Sequence, residues 1–316
     1  MVKTKGKSHN KTKPINMKTL KILSALVSVA YVCSLVSCNP EGIKPTPGNY
    51  IINGPQDVDP AFSPDGNFIA YAHLYDTAKN YPQGLYIIDK NGNNRKLVLA
   101  GFHFGPNWSP DGEWLVVTSG GKVQKCKTDG SQLIPFTGLN TLDYPEFYYP
   151  KWSSDGKLIM FYKPLGAGIS SLYGTSSDFK RYGVLFGLNI PTGSYPSLSP
   201  SRKNLVYIKG SQSFQAGTEV FLTDTLGLND LRLTTNNRED KSPTWSPGGD
   251  RIIWSSGLRL TIMNSNGSNQ IEIGFGNNPS WSINDEIVFS HANADYSKEV
   301  IYIISTDGKN KKQITQ

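Results

Sequence analysis

Pro106-Asn107-Trp108-Ser109-Pro110-Asp111-Gly112, followed almost at once by Trp114-Leu115-Val116-Val117, contains the whole grammar of this 316-residue chain. A short strand ends in Trp-Ser. Pro-Asp-Gly then reverses the chain, because Pro presets φ, Asp can bond nearby backbone and Gly accepts φ > 0. The apolar run that follows is too short for a helix and suits a strand packed on both faces. The unit recurs as Pro60-Ala61-Phe62-Ser63-Pro64-Asp65-Gly66 and as Pro150-Lys151-Trp152-Ser153-Ser154-Asp155-Gly156. Weaker copies begin at Pro196, Pro243 and Pro279, the fourth with Ser201-Arg202 in place of Asp-Gly. The leading prolines are 46, 44, 46, 47 and 36 residues apart, a period suited to repeated four-stranded blades.

Each copy continues alike. Second strands are expected at Phe68-Ile69-Ala70-Tyr71, Leu158-Ile159-Met160-Phe161, Leu205-Val206-Tyr207-Ile208, Ile252-Ile253-Trp254 and Ile287-Val288-Phe289. Third strands such as Leu85-Tyr86-Ile87-Ile88 lead to a second tight turn and to fourth strands such as Lys96-Leu97-Val98-Leu99. These copies resemble the TolB-type, WD-like β-propeller repeat, found also in the propellers of prolyl oligopeptidases and in oligogalacturonate lyases. The resemblance covers residues 50–316 and implies an all-β, six-bladed propeller of four-stranded antiparallel blades. Tyr50-Ile51-Ile52-Asn53 stands where a strand from the N-terminus could pair with the last blade and close the ring, leaving no open edge.

Charge separates the N-terminus from the rest. Lys+Arg 32 against Asp+Glu 25 gives a net charge of +7, but residues 1–37 hold seven lysines and no acidic residue, so the remainder is formally neutral. Ile22 to Val36 is uncharged and mostly apolar, short for a membrane span and suited to the core of a signal peptide. It ends in Leu35-Val36-Ser37-Cys38, which resembles the lipobox of bacterial lipoproteins. That resemblance implies cleavage before Cys38, lipid on Cys38 and attachment to a membrane of the cell envelope. Asn39 follows where an inner-membrane retention signal would place Asp, so the outer membrane is expected. Met17 is a plausible true start. Residues 38–49, with Pro40, Pro45 and Pro47, read as a tether. Cys33 leaves with the signal and Cys38 carries the lipid, so Cys126 is the one free thiol expected, the mature chain has no intramolecular disulfide, and Cys126 reads as a strand residue.

Composition, with 37% hydrophobic and 11% aromatic residues, excludes disorder, and a neutral mature chain argues against nucleic acid. No Gly-x-Ser-x-Gly, His-Glu-x-x-His, P-loop or dinucleotide motif occurs, so no catalytic residue, metal or cofactor is expected. Aligning the repeats places His73, Lys163, Lys209 and His291 at the ends of second strands, where the resemblance puts the mouth of the central channel. An acidic polysaccharide, bound or cleaved as in oligogalacturonate lyases, is the alternative this pattern allows. Ordinary polar strand ends are the preferred reading, since two histidines are too few to hold a metal. A second candidate is aromatic: Phe102 and Phe104, with Tyr144, Phe147, Tyr148 and Tyr149, lie in the connections between blades and suit contact with a peptide or a sugar ring. The resulting expectation is a monomeric, lipid-anchored, non-catalytic module that binds a protein or peptide on one face. The resemblance does not carry over TolB's own partner, the Pal lipoprotein, because TolB has an N-terminal α/β domain that does not precede the first repeat of this sequence.

Overall fold

The computed structural model describes residues 54–76, 81–138, 148–166, 169–191, 195–210 and 217–316. Within them the strands fall in groups of four along the chain. The first group is β1 (Gln56–Phe62), β2 (Phe68–Leu74), β3 (Gly84–Asp89) and β4 (Lys96–Ala100). Next come β5 (Phe104–Trp108), β6 (Trp114–Ser119), β7 (Lys122–Lys127) and β8 (Ile134–Pro135), then β9 (Tyr148–Trp152), β10 (Leu158–Gly166), β11 (Ile169–Ser176) and β12 (Tyr182–Pro191). The fourth group is β13 (Ser197–Leu198), β14 (Asn204–Gly210), β15 (Thr218–Asp224) and β16 (Leu231–Arg232). The fifth is β17 (Asp240–Trp245), β18 (Arg251–Ser256), β19 (Arg259–Asn264) and β20 (Ile271–Phe275). The last is β21 (Asn277–Trp281), β22 (Glu286–Ala292), β23 (Glu299–Ser305) and β24 (Lys312–Gln313). Every group is an antiparallel meander, so the protein is an all-β propeller with four-stranded antiparallel blades.

Six separate sheets are expected from the repeats, and on this point the expectation is corrected. The four middle groups are separate four-stranded sheets, whereas β1–β4 and β21–β24 share one eight-stranded sheet. The cause is a single parallel pair, Gln56 with Glu299, where the start of β1 meets the start of β23. The segment 50–53, expected to close the ring, lies outside the described residues, as do the signal, Cys38 and most of the tether.

The turns carry the repeat. Ser63 Oγ donates to Asp65 Oδ1 at 2.5 Å and accepts the Phe68 amide at 2.9 Å, so the hydroxyl bolts the turn to the strand after it. Ser109 with Asp111 and Ser153 with Asp155 repeat the bond at 2.5 and 2.7 Å. In the fifth copy the carboxylate comes from Asp250, two positions later, and the bond persists at 2.7 Å. Gly66, Gly112, Gly156 and Gly249 take the left-handed conformation there, and Arg202 does so in the degraded fourth copy.

Apolar clusters lie between groups as well as within them. Trp108, Leu115, Val117 and Cys126 of the second group pack on Ala61, Ala70, Leu85 and Val98 of the first. Trp245, Ile252, Trp254 and Met263 pack likewise on Val206, Ile208, Val220 and Leu233. Phe62, Ile69, Tyr71 and Ile88 meet Val288, Ile301, Ile303 and Ile314, so the last group packs on the first. Trp108 and Trp245 each donate Nε1–H to a carbonyl of the preceding group, Ala61 and Ser197, at 3.0 Å. Each fully buried Leu, Ile or Phe contributes roughly 1.5–3 kcal/mol, against about 0–1 kcal/mol for an exposed ion pair. These seams, and not rim pairs such as Arg251–Asp285, therefore hold neighbouring blades together.

Candidate functional site

The first strands of all six groups, β1, β5, β9, β13, β17 and β21, line one central cavity of about 280 Å³. Its inner wall is set by the leading prolines. Proline disfavours the right-handed helical region for the residue before it. That residue here is left-handed in every copy: Asp59, Gly105, Tyr149, Tyr195, Ser242 and Asn278 all have φ between 44° and 60°. Except at the two-residue β13, the pairing register slips across this position, as between Val58 and Ala61 or Asn277 and Ser280, which marks a bulge.

Contacts link these six positions in series, from Tyr195 through Tyr149, Gly105, Asp59 and Asn278 to Ser242. Asn278 Nδ2 donates to Asp59 Oδ1 at 2.7 Å, and the Gly105 amide donates to Asp59 Oδ2 at 3.1 Å. Ser242 Oγ lies 2.8 Å from Asn278 Oδ1. A Cβ at Gly105 would stand 3.0 Å from the Tyr149 ring, so glycine leaves that ring its place. Tyr149 meets Tyr195 edge-on, with ring centroids 4.8 Å apart. Burial pushes the Asp59 carboxyl up to about 6, against the opposing effect of its hydrogen bonds and of the Lys151 charge. Burial pushes Lys151 down to about 8, partly offset by Asp59. Glu299 is pushed up to about 7 by burial, with the charges of Asp59 and Asp57 adding, while Ser290 Oγ donates to it at 2.7 Å.

The aromatic candidates form a run of ring contacts that reaches this channel at Tyr149 and Tyr195. Tyr75 contacts Phe102 and Phe102 contacts Phe104, with centroids 6.5 and 5.8 Å apart. Phe104 meets Tyr148 and Tyr149 at 6.3 and 5.9 Å, and both tyrosines reach Tyr162 at 5.9 Å. With Tyr195, this forms a belt across the first four groups. Tyr75 and Phe102 are exposed, at 47% and 37%. Tyr144 and Phe147 lie outside the described residues.

The four polar strand-end candidates have different surroundings. His73 is 2% exposed, with Nδ1 2.6 Å from Asp57 and Nε2 3.2 Å from Asp76. Its ring stacks on Tyr81 at 3.6 Å, and Tyr81 in turn donates to Asp57 at 3.1 Å and lies beneath Arg95. His291 stacks near Phe275 and Tyr302, and burial, with Lys311 adding, pushes it down to about 4. Lys163 is buried in β10, and Lys209 pairs with Asp230 at 3.2 Å. Among the described residues no group of three or more His, Cys, Asp or Glu side chains could hold a metal ion. The second strands stand one place outward from the channel, which is why His73 packs inside its blade. The channel residues themselves escape a reading of the repeat from strand ends; the signal for them is the position just before each leading proline.

Four-stranded blades set around a central cavity lined by their first strands define a β-propeller. Among solved structures the fold is similar to TolB from Acinetobacter baumannii, at 18% identity and a TM-score of 0.65, over 78% of this chain and 63% of that one. It is similar also to a protein assigned as TolB from Agrobacterium tumefaciens, at 21% identity and a TM-score of 0.59, over 70% and 84% of the two chains. An oligogalacturonate lyase in complex with manganese matches at 12% identity and a TM-score of 0.56, over 81% and 76%. The chain thus spans less than two thirds of the Acinetobacter protein's length, and at these identities the likeness concerns the fold alone. No curated protein matches the sequence. The family is nonetheless defined: residues 58–274 match the TolB β-propeller domain, and the chain belongs to that family.

Proposed function

We propose that this chain is a lipid-anchored, six-bladed propeller that binds a protein or peptide in the bacterial cell envelope without catalysis. The blade count takes the eight-stranded sheet as two blades. The observation that carries the reading is the aromatic belt from Tyr75 through Phe102, Phe104 and Tyr149 to Tyr195, exposed at Tyr75 and Phe102 and reaching the central cavity at Tyr149 and Tyr195. Rigid aromatic side chains give contact area at little entropic loss, which is the composition of energetic centres in protein interfaces. Across the mouth, Ser242, Asn278 and Asp59 supply the polar half. His73, the best candidate for an acid or base, has both ring nitrogens engaged by carboxylates in the interior, which supports a structural role. Leu35-Val36-Ser37-Cys38 and the proline-rich tether support an anchor that holds the domain at the outer membrane, at a distance set by residues 38–49.

Site-specific photo-crosslinking in cells tests the face. A crosslinker in place of Phe102 is expected to give a discrete adduct, and one in place of Asp111, in a turn at the far end of the blades, none. No adduct at Phe102, or the same adducts at both, overturns the reading. In the same cells Cys38→Ala should move the protein from the membrane fraction to the soluble one; unchanged membrane attachment overturns the anchor.

A further inference from the structure

We propose that Lys151 receives the free C-terminal carboxylate of a peptide inside the channel, a refinement that rests on the peptide-binding reading above. Lys151 lies in β9, two residues after Tyr149, and lines the central cavity. Buried charges in proteins are normally paired, because removing an ion from water costs several kcal/mol. Lys151 is half-buried against the cavity, and among the described residues its ammonium has no hydrogen bond or ion pair within contact distance. Its natural counter-ion, Asp59, attracts it only across the channel, and both Asp59 oxygens already accept, one from Asn278 and one from the Gly105 amide. An incoming anion would complete the Lys151 ammonium without disturbing that ring. Burial lowers Lys151 only to about 8, so it is mainly charged at neutral pH.

The surroundings admit one negative charge and oppose a second. Asp59 lines the same cavity, and its charge is felt by Glu299. A polyuronate, carrying a carboxylate on every ring, would set charges against these acids, whereas a peptide end brings only one. Size agrees with this choice. A cavity of about 280 Å³ is small for a ligand site, where roughly 300–1,000 Å³ is usual, and it suits the last few residues of an extended chain. The residues before the carboxylate would leave through the mouth over Tyr149, Tyr195 and Phe104.

The test offers the purified full chain two tetrapeptide libraries, identical except that one ends in free carboxylate and the other in amide. Charge-assisted hydrogen bonds predict retention of the free-acid library by about tenfold or more over the amide. That preference should vanish in Lys151→Met, persist in Lys151→Arg, and in the wild type fade as pH rises through about 8. The comparison of libraries and the pH series use unaltered protein, so they decide the matter even if Lys151→Met folds poorly. Equal retention of both libraries overturns the carboxylate proposal and leaves peptide binding standing. Retention of neither overturns both. A preference that survives Lys151→Met, or capture of oligogalacturonate in place of the peptides, also overturns it.

Discussion

Glu299 gives the sharpest quantitative test, because its proton affinity is tied to the seam between the first and last blades. Its carboxyl is moved from 4.5 to about 7, first by burial and then by the charges of Asp59 and Asp57. The sign follows from linkage. A carboxyl that holds its proton more tightly in the folded state makes stability fall as pH rises through the window between those two values, and the loss is complete above it. A gap of about 2.5 pH units, at 1.36 kcal/mol each, corresponds to about 3 kcal/mol. Because the residue is only partly buried, about 2 kcal/mol is the fairer figure. Glu299→Gln removes the charge and keeps an oxygen to accept from Ser290. At pH 8 the variant should therefore be more stable by about 2 kcal/mol, or roughly 5 °C in Tm for a domain of this size. At pH 4.5 the two proteins should melt within about 1 °C of one another, since folded Glu299 is then protonated. Thermal denaturation followed by circular dichroism at both pH values measures the difference. The same change in Tm at pH 4.5 and 8, or a fall at pH 8, would refute the reasoning.

Two further outcomes follow from the local chemistry. Gly112 has φ +72 and only Pro64 Cδ, at 3.9 Å, near a prospective Cβ, so Gly112→Ala should cost about 1–2 kcal/mol through backbone strain alone, measured by urea unfolding, and Gly112→Asn less. Cys126 is fully buried with its thiol pushed up to about 12, so mass spectrometry should find it unlabelled by iodoacetamide in the native protein at pH 8 and labelled after denaturation.

The parts legible in the sequence are those whose physics is short-range. Ser63, Asp65 and Gly66 make one turn within four residues, and the same turn chemistry marks the other copies even where the acid has moved to Asp250. The contacts among Phe102, Phe104, Tyr148 and Tyr149 have a related origin: these residues sit beside the start of a repeat, and the repeat fixes where its start points. The channel was not legible in this way. Asp59, Gly105, Tyr149, Tyr195, Ser242 and Asn278 share no side-chain property, only a left-handed backbone before proline. His73 is the converse case. Its residue type suggests chemistry, but its partners Asp57 and Tyr81 come from other strands and connections and hold it in the interior. The merging of the first and last sheets rests on a single pair, Gln56 with Glu299, that no repeat encodes.

The ring of pre-proline bulges also bears on how such a protein can change. Each of the six positions asks the frame for the same backbone geometry and presents a different side chain to a common space. The frame is therefore a fixed socket with six interchangeable pins, and the lining can be rewritten one pin at a time while the turns, seams and sheets stay as they are. In this chain the setting is Asp, Gly, Tyr, Tyr, Ser and Asn, read around the axis. Two adjacent tyrosines hold a conformation in which bulky residues are genuine outliers, and they concentrate that cost on the side of the channel next to Lys151.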